Sequence, residues 1–71
     1  MAEQVLSQAI IRLPVVKQRT GLSRSTIYLR AAQGEFPAPI KLGARASGWI
    51  ADEVDAWIAA RIAATRESPS S

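Results

Sequence analysis

The sequence predicts a small, mainly helical domain with one β-hairpin, in the order helix, tight turn, helix, hairpin, helix. Three observations carry this reading. Pro14 and Gly21 bracket a short helical segment, and Ser23 follows at once as the start of a second helix. Phe36-Pro37-Ala38-Pro39 breaks that second helix and leads into two short strand-like runs, Ile40-Lys41-Leu42 and Gly48-Trp49-Ile50. Val54, Trp57, Ile58 and Ile62 then recur at the spacing of one buried helix face.

Residues 1–9, MAEQVLSQA, show no period and read as a flexible arm. Pro14 suits the first helical position, where its missing N–H has no intrahelical acceptor to lose. The helix runs through Val15-Val16-Lys17-Gln18-Arg19 and stops at Gly21, the residue type best able to take the left-handed conformation. Ser23 caps the second helix, Arg24 to Gln33, with its hydroxyl against the N–H groups of the next turn, and Gly34 ends it. Ile27 and Ala31 share the core face of that helix, which turns Arg24, Ser25 and Tyr28 outward. The hairpin has a basic loop, Gly43-Ala44-Arg45-Ala46-Ser47, with Gly43 and Gly48 letting its backbone bend. Asp52 is positioned to cap the third helix and Asp55 to complete a capping-box-like pair, while Arg61 and Arg66 complement the helix dipole near its end. Residues 67–71, ESPSS, read as a disordered tail, and no internal repeat is present. One domain is therefore expected over residues 10–66, a helix-turn-helix followed by a two-stranded wing.

At 71 residues the chain buries only about 60% of the surface its unfolded form exposes, which argues against a deep catalytic cleft. It has no cysteine and no histidine. Disulfides, thiolate metal sites and the usual general base are thereby excluded, and the expectation is a non-enzyme with no cofactor and no metal. No apolar run reaches the roughly 18 residues of a membrane span, and Met1-Ala2-Glu3 lacks the basic start of a signal peptide. A soluble cytoplasmic protein with no membrane partner is expected. The net charge of +3 is unevenly distributed. Between Arg12 and Arg45, seven cations (Arg12, Lys17, Arg19, Arg24, Arg30, Lys41, Arg45) face the single acid Glu35. From Ala46 onward, Arg61 and Arg66 face Asp52, Glu53, Asp55 and Glu67. Such a segregated basic half suits a polyanion, because neutralising phosphates releases condensed counterions; a merely solvated basic surface is the alternative.

Two helices joined by a short glycine-containing turn are the arrangement that projects the second helix into a DNA major groove. The candidate DNA-binding residues on that helix are Arg24, Ser25, Thr26, Tyr28 and Arg30. Its N-terminal end offers free N–H groups and the positive end of the dipole to phosphates. Arginine can bond guanine at two acceptors, and the tyrosine and serine hydroxyls can hold phosphates or bases. On the wing, Lys41 and Arg45 can follow the sugar-phosphate backbone or enter the minor groove. Arg12 and Lys17, at the start of the first helix, either touch phosphate or cover apolar surface with their stems.

Other signals reduce to structure. Trp49 and Trp57 resemble base-stacking platforms, but their positions favour core packing, and Trp57→Ala is expected to cost about 3–5 kcal/mol. Asp52 and Asp55 have no accompanying acid or histidine to make a metal site. Gly43 to Gly48 spans G-x-x-x-x-G, yet tryptophan stands where a phosphate-binding loop needs lysine.

Several runs together resemble the AlpA family of phage-type transcriptional regulators: Arg12-Leu13-Pro14, Thr20-Gly21-Leu22-Ser23-Arg24-Ser25-Thr26-Ile27-Tyr28, Gly34 through Gly43, and Gly48-Trp49-Ile50 with Glu53-Val54-Asp55-Ala56-Trp57. The resemblance covers about residues 10–66. It implies a winged helix-turn-helix like those of MerR-type DNA-binding domains and small excisionases. It also implies control of integrase expression or of excision by binding double-stranded DNA in a bacterial cytoplasm, associated with the nucleoid when bound. An excisionase-like or adaptor module that holds an integrase or RNA polymerase subunit is the alternative, and self-association on DNA fits so small a footprint. Family members commonly place arginine and then leucine after the tyrosine, whereas this chain carries Leu29 and then Arg30, which leaves open which of the two faces DNA.

Overall fold

A computed structural model describes residues 9–67. The elements are β1 (Ile10–Ile11), α1 (Leu13–Thr20), α2 (Arg24–Ala32), β2 (Ile40–Gly43), β3 (Ala46–Ile50) and α3 (Ala51–Arg66). Three helices with a small antiparallel hairpin make the expected helix-turn-helix and wing. The arm expected over residues 1–9 and the tail over 67–71 lie outside the described residues, except for Ala9 and Glu67. No helix among the described residues is long and apolar enough to cross a membrane.

The helix-turn-helix follows its local chemistry closely. Pro14 sits in the first turn of α1, and Gly21 closes that helix at φ 75° with its N–H donating to the Lys17 carbonyl. Thr20 reinforces the turn, its hydroxyl donating to the Val16 carbonyl and accepting from the Leu22 N–H. At the far end of α2, Gly34 takes φ 77° and its N–H donates to the Ala31 carbonyl, while the Glu35 N–H donates to the Arg30 carbonyl. These are the two bonds of a Schellman motif.

The wing departs from expectation by gaining a strand. β1 pairs antiparallel with β3 (Ile10 opposite Ile50, Ile11 opposite Trp49), so the sheet has three strands in the order β1-β3-β2. β2 pairs with β3 on the other side, Ile40 opposite Gly48 and Lys41 opposite Ser47, with an irregularity between Lys41 and Gly43. β3 is thus the central strand. Gly48 serves close packing there rather than bending. A Cβ at this position would lie 2.5 Å from Cγ2 of Ile10 and 3.2 Å from the Ile11 carbonyl oxygen.

α3 also begins differently. Ile50 rather than Asp52 occupies the cap position, and no side chain bonds the first turn. The Ala51 N–H instead donates to the Ala9 carbonyl at 2.8 Å, so the chain entering β1 supplies the acceptor the helix start needs. Asp52 falls within the first turn, where its charge still complements the dipole. Asp55 pairs with Arg19 of α1 instead of completing a capping box.

The core comprises Val16, Ile27, Phe36, Trp49 and Val54, with Ile11, Leu13, Leu22, Ala31, Trp57 and Ile58 packed around it. None of the described polar or charged side chains is buried. Trp49 is fully buried, and its indole N–H donates to the Pro37 carbonyl at 3.0 Å. Trp57 is half-buried, donates to the Glu35 carbonyl at 2.8 Å and meets Phe36 edge-on. The stripe of α3 does not extend as far as its periodicity suggests. Ile62 is 46% exposed. Arg61 lies 5.6 Å from the ring of Trp57 rather than at the helix end.

This packing sets the expected cost of three substitutions. Trp49→Ala removes the largest fully buried side chain and is expected to cost about 3–5 kcal/mol, enough to unfold a marginal domain. Trp57→Ala, at a half-buried site, is expected to cost less; urea denaturation followed by circular dichroism gives the order, and the reverse order would shift the weight of the core to α3. Gly48→Ala is expected to lose about 1–3 kcal/mol through overpacking, checked in the same way.

Candidate nucleic-acid interface

The leading turn of α2 is built by Ser23. Its Oγ accepts a hydrogen bond from the Thr26 N–H at 3.2 Å and donates to Thr26 Oγ1 at 3.0 Å. The cap fixes the direction of the helix start, and the first-turn N–H groups of Arg24 and Ser25 have no intrahelical acceptor. The Thr26 hydroxyl belongs to this cap.

Arg24 and Tyr28, four residues apart, share a face of α2. The Arg24 guanidinium lies 5.5 Å from the centroid of the Tyr28 ring, and that ring meets Trp49 edge-on at 5.7 Å. Tyr28 therefore reaches from the core to the surface, where it is 37% exposed. Tyr28→Ala would remove packing along with the hydroxyl, whereas Tyr28→Phe separates the two.

A recess of roughly 210 Å³ opens beside this face, lined by Arg12, Leu13, Pro14, Arg24, Tyr28, Arg45 and Ser47. It gathers side chains from the β1–α1 junction, the N-terminal half of α2 and the wing. Three arginines line it together, and no carboxylate of the described residues does. Arg45 comes from the two-residue turn between β2 and β3, a tighter tip than the five-residue loop read from the sequence. The Arg12 Nε–H donates to the Ser47 carbonyl at 3.0 Å, tying the start of α1 to the wing. Ser47 was not visible as a site residue in the sequence; its only signal is its position two residues beyond Arg45.

The remaining candidates stand apart. Ser25 and Lys41 are exposed and do not line the recess, nor does Lys17. Leu29 is 58% exposed at the surface. Arg30 follows Tyr28 by two positions, about 200° around the helix, and lines a different groove formed with α1 and α3.

The family model described as prophage CP4-57 regulatory protein (AlpA) matches residues 9–62, a span that begins at β1 and reaches into α3. The chain belongs to the AlpA family. The uncharacterized protein ORF88 of Enterobacteria phage P4 is 44% identical over 59 residues, covering 83% of this chain and 67% of that protein. The DNA-binding transcriptional activator AlpA of Escherichia coli (strain K12) is 40% identical over 58 residues, covering 73% of this chain and 83% of its own length. In this AlpA-family chain the matched span contains all the side chains that line the recess.

Because the Ser23 cap sets the entry of α2, Ser23→Ala is expected to cost about 1 kcal/mol. Thermal denaturation should show this as a melting point lower by roughly 4–8 °C; an unchanged melt would remove the cap from the account.

Proposed function

We propose that this chain is a transcriptional regulator of a phage-derived or integrating element, and that it binds double-stranded DNA sequence-specifically and without catalysis. The observation that carries the reading is that Arg12, Arg24 and Arg45 line one recess with Tyr28, and that no carboxylate of the described residues lines it. Family membership supports it, as does the description of the Escherichia coli relative as a DNA-binding transcriptional activator.

In this reading the leading turn of α2 enters the major groove. Arg24 bonds the two acceptors of a guanine edge, and Ser25 with the first-turn N–H groups takes a phosphate. The Tyr28 ring restricts the guanidinium of Arg24 before DNA arrives, which lowers the entropy lost on binding. Arg45 at the wing tip follows the adjacent backbone or minor groove, with Lys41 further along β2. Arg12, braced on the Ser47 carbonyl, neutralises a phosphate between them. Thr26 acts through the cap, and Arg30 takes no part on this side of the helix. The regulated event is integrase expression or excision of the element, a reading supported by the prophage origin of the family model.

The test uses duplexes selected from a random pool and read by fluorescence anisotropy. The logarithm of affinity should fall linearly with the logarithm of salt, with a slope near −0.9 for each phosphate contacted. Arg24→Ala should lose about 1–3 kcal/mol on the selected duplex and much less on an unrelated one. Arg45→Ala should weaken both alike and reduce the salt slope by roughly one. Undiminished affinity in a folded Arg24→Ala/Arg45→Ala double variant would sink the assignment.

A further inference from the structure

A second groove, of roughly 290 Å³, lies between the end of α1, the outer side of α2 and the exposed part of α3. Leu22, Trp57, Ile58 and Ile62 give it an apolar floor, and Arg30 and Arg61 stand along its rim. Arg19 also reaches it, but Asp55 holds that guanidinium at 2.6 Å. Arg61 rests over the indole of Trp57, a contact that orients the guanidinium without cancelling its charge, since the ring itself bears no net charge. The floor includes the apolar surface that α3 leaves uncovered, with Ile62 46% exposed and Trp57 half-buried.

Duplex DNA offers phosphates to such a rim, but only small apolar groups, thymine methyls and sugar edges, to an apolar floor. A peptide carrying carboxylates beside a large apolar side chain satisfies both, through charge-assisted hydrogen bonds at the edge and a desolvated anchor at the centre. Arg30 also points about 200° away from Tyr28, so a duplex seated in the first recess leaves this groove open. We propose that the groove is a docking site for an acidic peptide segment of a partner protein. One apolar side chain of that segment sits on Leu22, Trp57 and Ile62, and flanking Asp or Glu carboxylates bind Arg30 and Arg61.

The proposal does not depend on DNA binding, and its main test is a peptide titration without DNA. Isotope-labelled protein is titrated with short synthetic peptides, each rich in glutamate with a single Leu, Phe or Trp, and the resonances are followed by NMR. Polyglutamate of equal charge and the same peptides with alanine at the anchor serve as controls. The Trp57 indole N–H and the amides of Leu22, Ile58 and Ile62 should shift saturably while the Trp49 indole stays in place. Arg30→Glu/Arg61→Glu should lower peptide affinity roughly tenfold or more, as the removal of charge-paired contacts at a rim and anchor does. Ile62→Glu, at a more exposed position, should do the same even if the arginine variant is poorly folded.

Four results overturn the proposal. One is that no peptide moves these resonances, and another is that polyglutamate moves them equally well. A third is that the free protein sediments as a dimer which Ile62→Glu dissociates, assigning the groove to a second copy of the chain. The last is that a folded Arg30→Glu/Arg61→Glu variant loses as much duplex affinity as Arg24→Ala, assigning the groove to DNA. Failure of the DNA reading would appear separately, in the anisotropy of the Arg24 and Arg45 variants.

Discussion

Two indole N–H groups hold the segment Glu35-Phe36-Pro37, and much of the fold depends on that grip. Between α2 and β2 the chain must leave a helix and enter a sheet through two prolines that donate no hydrogen bonds of their own. Carbonyls in such a segment have few backbone partners, and a carbonyl that loses water without gaining a donor costs roughly 1–3 kcal/mol. Trp49 supplies a donor to Pro37 from the central strand, and Trp57 supplies one to Glu35 from α3. Phe36, between the two accepting residues, is buried and meets the ring of Trp57 edge-on. One short connection therefore joins the sheet, the end of α2 and α3. A chain this small has little apolar surface to do so by packing alone.

The candidate interface inherits its position from this arrangement. The ring of Tyr28 rests on Trp49, so the face of α2 that carries Arg24 is referenced to the centre of the core rather than to a loop. The wing is referenced to the same point, because Trp49 lies on β3 and β3 is paired on both sides. β1 adds more than a strand. It places Arg12 where its guanidinium bonds the Ser47 carbonyl, and the preceding Ala9 carbonyl takes the first N–H of α3. A two-residue strand thereby ties together the starts of α1 and α3 and the wing.

The elements legible in the sequence were those set by a single residue's chemistry. Pro14, Gly21, Ser23 and Gly34 each act through local backbone geometry, and the helices they delimit lie where their chemistry puts them. The features that were not legible all depend on contacts distant along the chain. β1 has two residues, too few to show a period, and exists because Ile50 and Trp49 lie opposite. Asp52 has the right chemistry for a cap, but a carbonyl more than forty positions earlier already satisfies the helix start. Ile62 keeps the periodicity of its helix and is still 46% exposed, since a pattern in one element carries no information about the reach of its neighbours. For the interface, the grouping of Arg24 with Tyr28 follows from helical spacing alone. The arrival of Arg12 and Ser47 beside them required the sheet.

Among the described residues, the manner in which Arg24 and Arg61 are held differs from that of Arg19, and the difference decides which can meet an outside anion. Asp55 holds Arg19, and an ion pair cancels the charge an incoming anion would have met. Arg24 and Arg61 lie instead over the rings of Tyr28 and Trp57. An aromatic face attracts a cation through its quadrupole but bears no net charge, so the guanidinium is oriented and keeps its full field. Both rings also touch the core, one through Trp49 and the other through Phe36, so the direction of each cation follows from the packing of the interior. Because Arg24 and Arg30 sit about 240° apart around α2, the two oriented cationic surfaces face different ways across one helix. A chain with a net charge of only +3 can in this way present cations on two sides, with no carboxylate of the described residues lining either recess.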